Sequence, residues 1–177
     1  MDRKNDIRIV LTGFMGVGKS SVARHLSMLL GCERKDLDVA IEQAHGRTIA
    51  QILDSDGETE YRKIETDALR RVLADDGWTI LSLGGGTWTM PENRELIRLQ
   101  KLTTVWLEST FEHCWLNIRG SRKERPLARD KSKAQTLFQE RQKVYCLADW
   151  HFIIRPDLTS YEVAREISEQ VFLINQD

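Results

Sequence analysis

The chain has 177 residues, of which 41% are hydrophobic and 30% are charged, and its formal net charge is −1 at pH 7. This length suits one domain over residues 1–177, and the near-neutral charge gives no reason to expect a nucleic-acid partner or an anionic membrane surface. Because there is no run of about 18 apolar residues and the segment Met1 to Arg8 is polar, we expect a cytoplasmic protein, with no membrane partner, that works as a monomer.

The first predicted strand and helix flank a glycine-rich motif. Ile7 to Leu11 are mostly apolar and β-branched, which predicts a strand, and a helix is expected from Gly18 to the stop signal at Gly31. Between them, residues 13–20 read GFMGVGKS and fit G-x-x-x-x-G-K-[ST]. In such a P-loop the backbone N–H groups surround phosphates, the lysine reaches the β- and γ-phosphates and the serine binds magnesium. We therefore predict contacts with nucleotide phosphates from Gly13, Gly16, Gly18, Lys19, Ser20 and Ser21.

Two acidic residues follow the first helix. Asp36 and Asp38 lie where a second strand should end, and on extended backbone their side chains would point the same way. One could hold the hydration shell of magnesium while the other accepts a hydrogen bond from an acceptor hydroxyl. Two solvated turn residues are the alternative interpretation. Arg34 and Lys35 are poor residues for a buried strand, so this strand is expected to be short or at a sheet edge.

The next segment, from Ile49 to Leu73, has helical spacing that Gly57 interrupts. Arg62 and Glu65 are three positions apart and share a helix face, where an arginine fork can bind a carboxylate. An ordinary surface ion pair is the alternative. Residues 54–57 also fit D-x-x-G, a pattern of GTPase switches, but they lie between helical segments and no N-K-x-D stretch follows. A regulatory switch therefore stays open as the second interpretation.

The second half of the chain alternates strands with helices. Strands are predicted over Thr79 to Leu83, Leu102 to Leu107 and His151 to Ile154, and helices over Pro91 to Leu99, Phe111 to Ile118, Ala134 to Ala148 and Tyr161 to Leu173. The whole pattern predicts an α/β fold of the P-loop NTPase type, a five-stranded parallel sheet with helices on both faces. Ligands of such sheets bind at the carboxyl ends of the strands, where the P-loop and a triple glycine, residues 84–86, both lie.

Basic residues are concentrated between residues 119 and 133, where seven lysines and arginines stand against two acidic residues. A solvated loop is one interpretation of this charge excess. A mobile lid that brings positive charge to a phosphoryl group is the other.

Taken in order, the motifs resemble those of the shikimate kinase family. After the P-loop come L-G-x-x-x-x-D-x-D-x-x-I-E over residues 30–42, G-E-x-x-Y-R-x-x-E over residues 57–65, and the triple glycine. Arg125-Pro126-Leu127 and E-R-x-x-x-Y-x-x-A-D over residues 140–149 complete the series. The resemblance implies phosphorylation of the 3-hydroxyl of shikimate, with ATP as co-substrate and Mg²⁺ as cofactor. A kinase for another polyol acid or a cyclitol, such as gluconate, is the alternative.

The resemblance also implies roles for individual residues. Catalysis would involve Lys19, Asp38 and Arg125. Magnesium would be held by Ser20 and, through water, by Asp36. Shikimate would contact Asp38, Arg62, Glu65, Gly84, Gly85, Gly86 and Arg141. Arg119 and Pro156 would flank adenine, and Arg125 would bridge ATP and acceptor. The lid would span about residues 119–133 and the acceptor-binding segment about residues 38–70.

Three features depart from the family pattern. Arg34 and Lys35 stand before the acidic pair, where the family usually has an aromatic and an aliphatic residue. Trp88 follows the triple glycine where small residues are usual, which predicts a large indole near the acceptor pocket. Arg119 lies six positions before Arg125, one closer than the pattern expects. Apart from the motifs, the three cysteines lack metal-site spacing and are expected to be buried.

Overall fold

Five short parallel strands form the centre of the structure, a computed structural model that describes residues 7–173. The strands are β1 (Ile9–Thr12), β2 (Arg34–Asp36), β3 (Ile80–Ser82), β4 (Thr103–Glu108) and β5 (Trp150–Ile153). Their order across the sheet is β2-β3-β1-β4-β5, and every neighbouring pair is parallel. The predicted five-stranded parallel sheet is confirmed.

The register brings the carboxyl ends of the strands to one edge. Ser82 of β3 lies opposite Leu11 of β1 on one side and opposite Asp36 of β2 on the other. The P-loop follows β1, the triple glycine follows β3 and the acidic pair follows β2. The three predicted site segments therefore leave the sheet side by side.

Seven α-helices cover the sheet within the part of the chain that the structure describes. They are α1 (Lys19–Leu30), α2 (Leu37–His45), α3 (Ile49–Leu73), α4 (Pro91–Leu99), α5 (Phe111–Gly120), α6 (Lys131–Tyr145) and α7 (Ser160–Ile167), and α7 continues into a π-helical segment, Ser168–Leu173. Helix α1 packs on β1, β2 and β3 and against α7, α3 packs against α2 and α4, and α5 packs against α6. No helix in residues 7–173 is long and apolar enough to span a bilayer.

Local signals explain the helix boundaries. Gly31 ends α1 in the left-handed conformation with φ of 61°, and Thr48 begins α3 with a capping box to Gln51. Gly57 leaves the helical region at φ 83° and ψ 167°, so the predicted interruption of α3 is confirmed. The kink lets the two parts of α3 point in different directions.

Strand β2 shows why the acidic pair is arranged differently from the prediction. The strand is both short and at the sheet edge, as predicted, and Lys35 forms an ion pair there with Asp75. Asp36 ends the strand and caps α2, because its Oδ1 accepts a hydrogen bond from the Val39 N–H across 3.3 Å. Asp38 lies in the first turn of that helix. The expectation that both residues alternate on extended backbone is therefore wrong.

One contiguous cluster of buried apolar side chains forms the core. It includes Ile9, Val10 and Leu11 of β1, which are fully buried. Cys114 belongs to this cluster, and Cys32 is half-buried against it. Cys146 is exposed, so the expectation of burial is wrong for that cysteine.

Candidate active site

The P-loop lysine is buried against the loop that it follows. Lys19 donates hydrogen bonds from Nζ to the carbonyl oxygens of Gly13 at 2.7 Å and Phe14 at 3.0 Å. Burial, and after it the positive charge of Arg125, lower the pKa of Lys19 to about 8, although Asp38 partly opposes the shift. Phosphate oxygens would stabilise the charged form of this side chain and reverse that effect.

Gly16 holds the P-loop directly against α5. Its φ is 81°, and a Cβ at this position would stand 2.8 Å from Cγ1 of Ile118. Asn117 donates a hydrogen bond from Nδ2 to the Gly16 carbonyl across 2.8 Å. Helix α5 therefore fixes the conformation of the phosphate-binding loop.

A cavity of about 400 Å³ opens over the P-loop. Of the predicted nucleotide contacts, Gly16, Gly18, Lys19, Ser20, Ser21 and Arg125 line it. Gly13 is not part of the lining, and its carbonyl instead supports Lys19. Further lining comes from His113 and Asn117 of α5 and from Ile154, Leu158, Ser160 and Val163, which follow β5 or belong to α7.

The two residues expected beside adenine are not brought to this cavity. Arg119 and Pro156 are exposed, and both lie outside its lining. His113 and Asn117 are one turn apart on the face of α5 that borders the cavity. Arg119 lies two positions beyond Asn117, about 200° around the helix, and therefore projects from a different face.

Oxygen atoms suited to magnesium meet beside the P-loop. Ser20 donates a hydrogen bond from Oγ to Oδ2 of Asp36 across 2.6 Å, and Ser82 donates to the same oxygen across 2.9 Å. A hydroxyl and a carboxylate are hard oxygen ligands of the kind that Mg²⁺ prefers, so the donor set fits the ion. Over residues 7–173 no group of three or more His, Cys, Asp or Glu side chains could hold a metal. Phosphate oxygens and water would have to complete the coordination.

The triple glycine makes room for three charged side chains. A Cβ on Gly84 would stand 2.8 Å from Oδ1 of Asp38, and one on Gly86 would stand 2.5 Å from the guanidinium nitrogens of Arg62. A Cβ on Gly85 would lie 3.4 Å from Nη1 of Arg141. None of these glycines has positive φ among the backbone conformations described. They are needed for space, which lets the backbone approach all three side chains.

Arg62 is held by acidic residues of its own helix. Its Nη1 lies 2.7 Å from Oε2 of Glu65, and its Nη2 lies 3.0 Å from Oε1 of Glu58. Glu65 is fully buried and also accepts a hydrogen bond from Thr87 Oγ1 at 2.6 Å. It lies outside the lining of a second, smaller cavity that Arg62 borders and that is described below. Glu65 therefore contacts Arg62 rather than the cavity, and this contact orients the arginine fork.

Arg141 and Tyr145 of α6 approach the triple glycine from one side. Arg141 is buried and stands over the ring of Phe14, 6.0 Å from its centroid. Tyr145, one turn later, donates a short hydrogen bond to the Gly85 carbonyl. Burial raises the pKa of Tyr145 to about 12, so the hydroxyl stays protonated and remains a donor at neutral pH.

A second cavity of about 60 Å³ adjoins the first on the acceptor side. Its charged lining consists of Asp38, Arg62, Arg141, Lys123, Glu124 and Arg125, and its apolar lining includes Met15, Ile49, Leu53 and Leu127. Asp38, Gly84, Gly85, Lys123 and Arg125 border both cavities. At this junction Oδ1 of Asp38 and Nε of Arg125 are buried and have no hydrogen-bond partner among the described residues.

Trp88 does not line the acceptor-side cavity. It lies in a one-turn 3₁₀ helix, Thr87–Thr89, is 5% exposed and donates from Nε1 to the Val144 carbonyl of α6 across 3.1 Å. The expectation that its indole lies near the acceptor pocket is therefore wrong. The indole instead fixes the turn after the triple glycine to α6.

The sequence analysis missed several residues of the two cavities, among them His113, Asn117 and Lys123. His113 and Asn117 have a weak signal, since their spacing of four places them on one helix face. Lys123 is one of the basic residues of the loop, but nothing in its spacing distinguishes it from its neighbours.

Known proteins resemble this chain in sequence and in fold. The family model described as shikimate kinase matches residues 15–172. A shikimate kinase of Helicobacter hepaticus is 35% identical over 162 residues, which cover 91% of this chain and 93% of that protein. A solved structure, the shikimate kinase from Acinetobacter baumannii in complex with shikimate, is 31% identical with a TM-score of 0.87 and covers 97% of this chain and 96% of its own.

A kinase named for the alternative acceptor, gluconate, is a more distant match among solved structures. A gluconokinase from Sinorhizobium meliloti is 17% identical with a TM-score of 0.63, over 98% of this chain and 94% of its own. At this identity the likeness concerns the fold alone.

Proposed function

Because the chain belongs to the shikimate kinase family, we infer that it transfers the γ-phosphoryl group of ATP to the 3-hydroxyl of shikimate, giving shikimate 3-phosphate and ADP. This reaction supplies a precursor of the aromatic amino acids. The observation that carries the assignment is the junction of the two cavities, where Asp38 and Arg125 each have a buried polar atom without a partner in the described residues.

At this junction each side chain has a separate role in phosphoryl transfer. The hydroxyl oxygen of the acceptor attacks the γ-phosphorus while the bond to the bridging oxygen of ADP breaks, and Asp38 orients the hydroxyl and accepts its proton. Lys19 and Arg125 stabilise the negative charge on the transferring group. Ser20 and Asp36 would hold Mg²⁺, directly and through water, and the bound ion would neutralise charge on the β- and γ-phosphates.

The acceptor-side arginines support a carboxylate on the acceptor. Arg62 and Arg141 both line the smaller cavity, and each presents a planar fork that matches a carboxylate. A neutral sugar or cyclitol would offer neither arginine a carboxylate and would leave Arg62 with only Glu58 and Glu65 as charged partners. Gluconate also has a carboxylate, so it remains the alternative that an acceptor panel must test.

The basic loop, which with the adjoining ends of α5 and α6 makes up residues 119–133, is proposed to be a lid over this junction. Arg129 forms a two-pronged ion pair with Asp54 of α3, at 3.0 and 2.8 Å, and thereby ties the loop to the acceptor-side segment. Both side chains are about half exposed, so water screens the pair, which contributes little to stability and can open readily. Closure would exclude water from the reacting groups.

We also propose that the enzyme works as a monomer in the cytoplasm. One chain contains both cavities and every residue that borders their junction. Light scattering of the purified chain and fractionation of cells test the two proposals separately, and a second copy contributing to the site would contradict the first.

A panel of acceptors tests the proposed reaction. ADP release from MgATP is measured with shikimate, quinate, gluconate and nucleoside monophosphates, and the phosphorylated product is identified by ³¹P NMR. Shikimate should give the highest kcat/KM, with phosphate on the 3-hydroxyl. Preferred turnover of gluconate would keep the kinase and replace the acceptor.

A further inference from the structure

The strand order divides the nucleotide cavity into two sides. The residues after β2 and β3, including Asp36 and Gly84, lie on one side of the P-loop, because the sheet order is β2-β3-β1-β4-β5. Helix α5 follows β4 and Ile154 follows β5, so both lie on the other side. If the γ-phosphate is next to Asp38 and Arg125, as the proposed function requires, the nucleotide base lies on the side of α5.

A hydrogen-bond relay fixes the imidazole of His113 on this side. Ser109 donates its single hydroxyl proton to the Ile154 carbonyl, 2.9 Å away. The same hydroxyl oxygen lies 2.9 Å from Nδ1 of His113. For both contacts of Ser109 to be hydrogen bonds, Nδ1 of His113 must carry a proton and donate it to Ser109. In the neutral imidazole Nε2 is then a hydrogen-bond acceptor.

Two other polar side chains of this wall, Asn117 and Ser160, each have a partner in the protein. Asn117 is held by its amide against the Gly16 carbonyl of the P-loop, and Ser160 lies 3.1 Å from Nδ1 of His25. Within residues 7–173 no hydrogen bond of the structure involves Nε2 of His113. Ile154, Leu158 and Val163 supply apolar surface to the same cavity. Apolar surface beside an unpartnered ring acceptor suits a flat ring that carries an amino group.

We propose that His113 is the residue that selects adenine. The 6-amino group of the base donates a hydrogen bond to Nε2, whereas a 6-carbonyl group would oppose it with a second acceptor. Ser109 is the positioning residue that sets the tautomer. This proposal rests on the proposed function only in taking the larger cavity as the ATP site.

Comparison of ATP with ITP tests the selection, because the two nucleotides differ only in the group on C6 and the proton on N1. We expect the wild-type chain to bind ATP about tenfold or more tightly than ITP, the contribution of about one hydrogen bond. In His113→Leu the ratio should fall to about one, through weaker ATP binding, while kcat changes little. His151→Leu, an exposed histidine outside the cavity, is the matched control and should keep the ratio.

Binding of both nucleotides is measured by calorimetry as well as by turnover. A chain that binds ATP but does not phosphorylate shikimate would therefore refute the proposed function and still test His113. An unchanged ratio of ATP to ITP affinity in folded His113→Leu would overturn the present proposal.

The tautomer provides a readout that does not depend on a variant that folds. In ¹⁵N-resolved NMR of the nucleotide-free wild-type chain near neutral pH, His113 should show the Nδ1–H tautomer. Ser109→Ala should mix the two tautomers and lower the ATP-to-ITP ratio by several-fold. A dominant Nε2–H tautomer in the wild-type chain would overturn the proposal.

Discussion

Lys123 donates a hydrogen bond from its ammonium group to Oδ2 of Asp38 across 3.1 Å, although the two residues are 85 positions apart. The contact joins the basic loop to the first turn of α2 at the junction of the two cavities. It occupies one carboxylate oxygen of Asp38. The other oxygen, Oδ1, is buried and lacks a partner in the described residues, and it is the atom that we expect the acceptor hydroxyl to meet.

Replacement of this carboxylate should abolish most turnover without unfolding the protein. Asp38→Asn keeps the shape but removes the negative acceptor, so kcat should fall by roughly 10²- to 10⁴-fold. Shikimate binding should fall much less. The ion pair with Lys123 is partly exposed, so its loss should change stability by less than about 1 kcal/mol. Stopped-flow turnover and thermal melting measure the two effects, and turnover within tenfold of the wild type would contradict the role of Asp38.

The geometry of Arg62 is open to a conservative test. Arg62→Lys keeps the positive charge but loses the two-pronged fork, so shikimate binding should weaken by about 2 kcal/mol, or roughly 30-fold. ATP binding should be nearly unchanged, as measured by calorimetry with each ligand alone. Arg70→Lys on the same helix is the control, because Arg70 makes surface ion pairs with Asp67 and Glu92. A silent Arg62→Lys with an inactive Asp38→Asn would keep the kinase and discard shikimate.

Local sequence signals predicted most of the fold. The P-loop, the stop at Gly31, the break at Gly57 and the Pro-initiated helix α4 each depend on residues within one or two turns. The edge position of β2 could also be predicted, because Arg34 and Lys35 do not suit a buried strand. These signals suffice to predict the order of the elements and a parallel sheet that binds its ligands at one edge.

Contacts between distant elements could not be predicted in the same way. The residues around Asp38 fit two local interpretations, a continued strand and a helix that Asp36 caps. Because both depend on equally local signals, the sequence could not decide between them, and the strand was predicted. Whether Arg119 or Asn117 borders the nucleotide cavity depends on which face of α5 packs on Gly16, and that packing is a tertiary contact. Trp88 turns toward α6 because Val144, 56 positions away, accepts its N–H.

The proposed lid arginine should act on the rate more than on binding. Nε of Arg125 is buried without a partner in the described residues, at the junction where a phosphoryl group would pass. Arg125→Ala should therefore lower kcat by about 10²-fold or more while the Kd of shikimate changes only a few-fold. Arg122→Ala, an exposed neighbour in the same loop, should leave kcat unchanged. Loss of binding with unchanged kcat would indicate a static surface loop.

The pKa of Lys19 predicts a proton uptake that accompanies nucleotide binding. Burial and Arg125 lower this pKa to about 8 in the free enzyme, and the negative phosphates should raise it again in the complex. The complex then holds more protons than its separate components near and above pH 8. By linkage, ATP affinity should be flat below pH 8 and fall as pH rises above it, by up to about tenfold per pH unit.

Calorimetry of MgATP binding at pH 8, in two buffers with different ionisation enthalpies, measures this uptake directly. About half a proton should be taken up per nucleotide at that pH, since Lys19 is half protonated in the free enzyme. Lys19→Arg should remove the uptake, because a guanidinium stays charged at this pH. Lys19→Met should remove both the uptake and turnover while the fold survives. Near-normal turnover in Lys19→Met would refute the P-loop assignment. An ATP affinity that is constant between pH 7 and about pH 9.5 would show that the pKa of Lys19 is not lowered in the free enzyme.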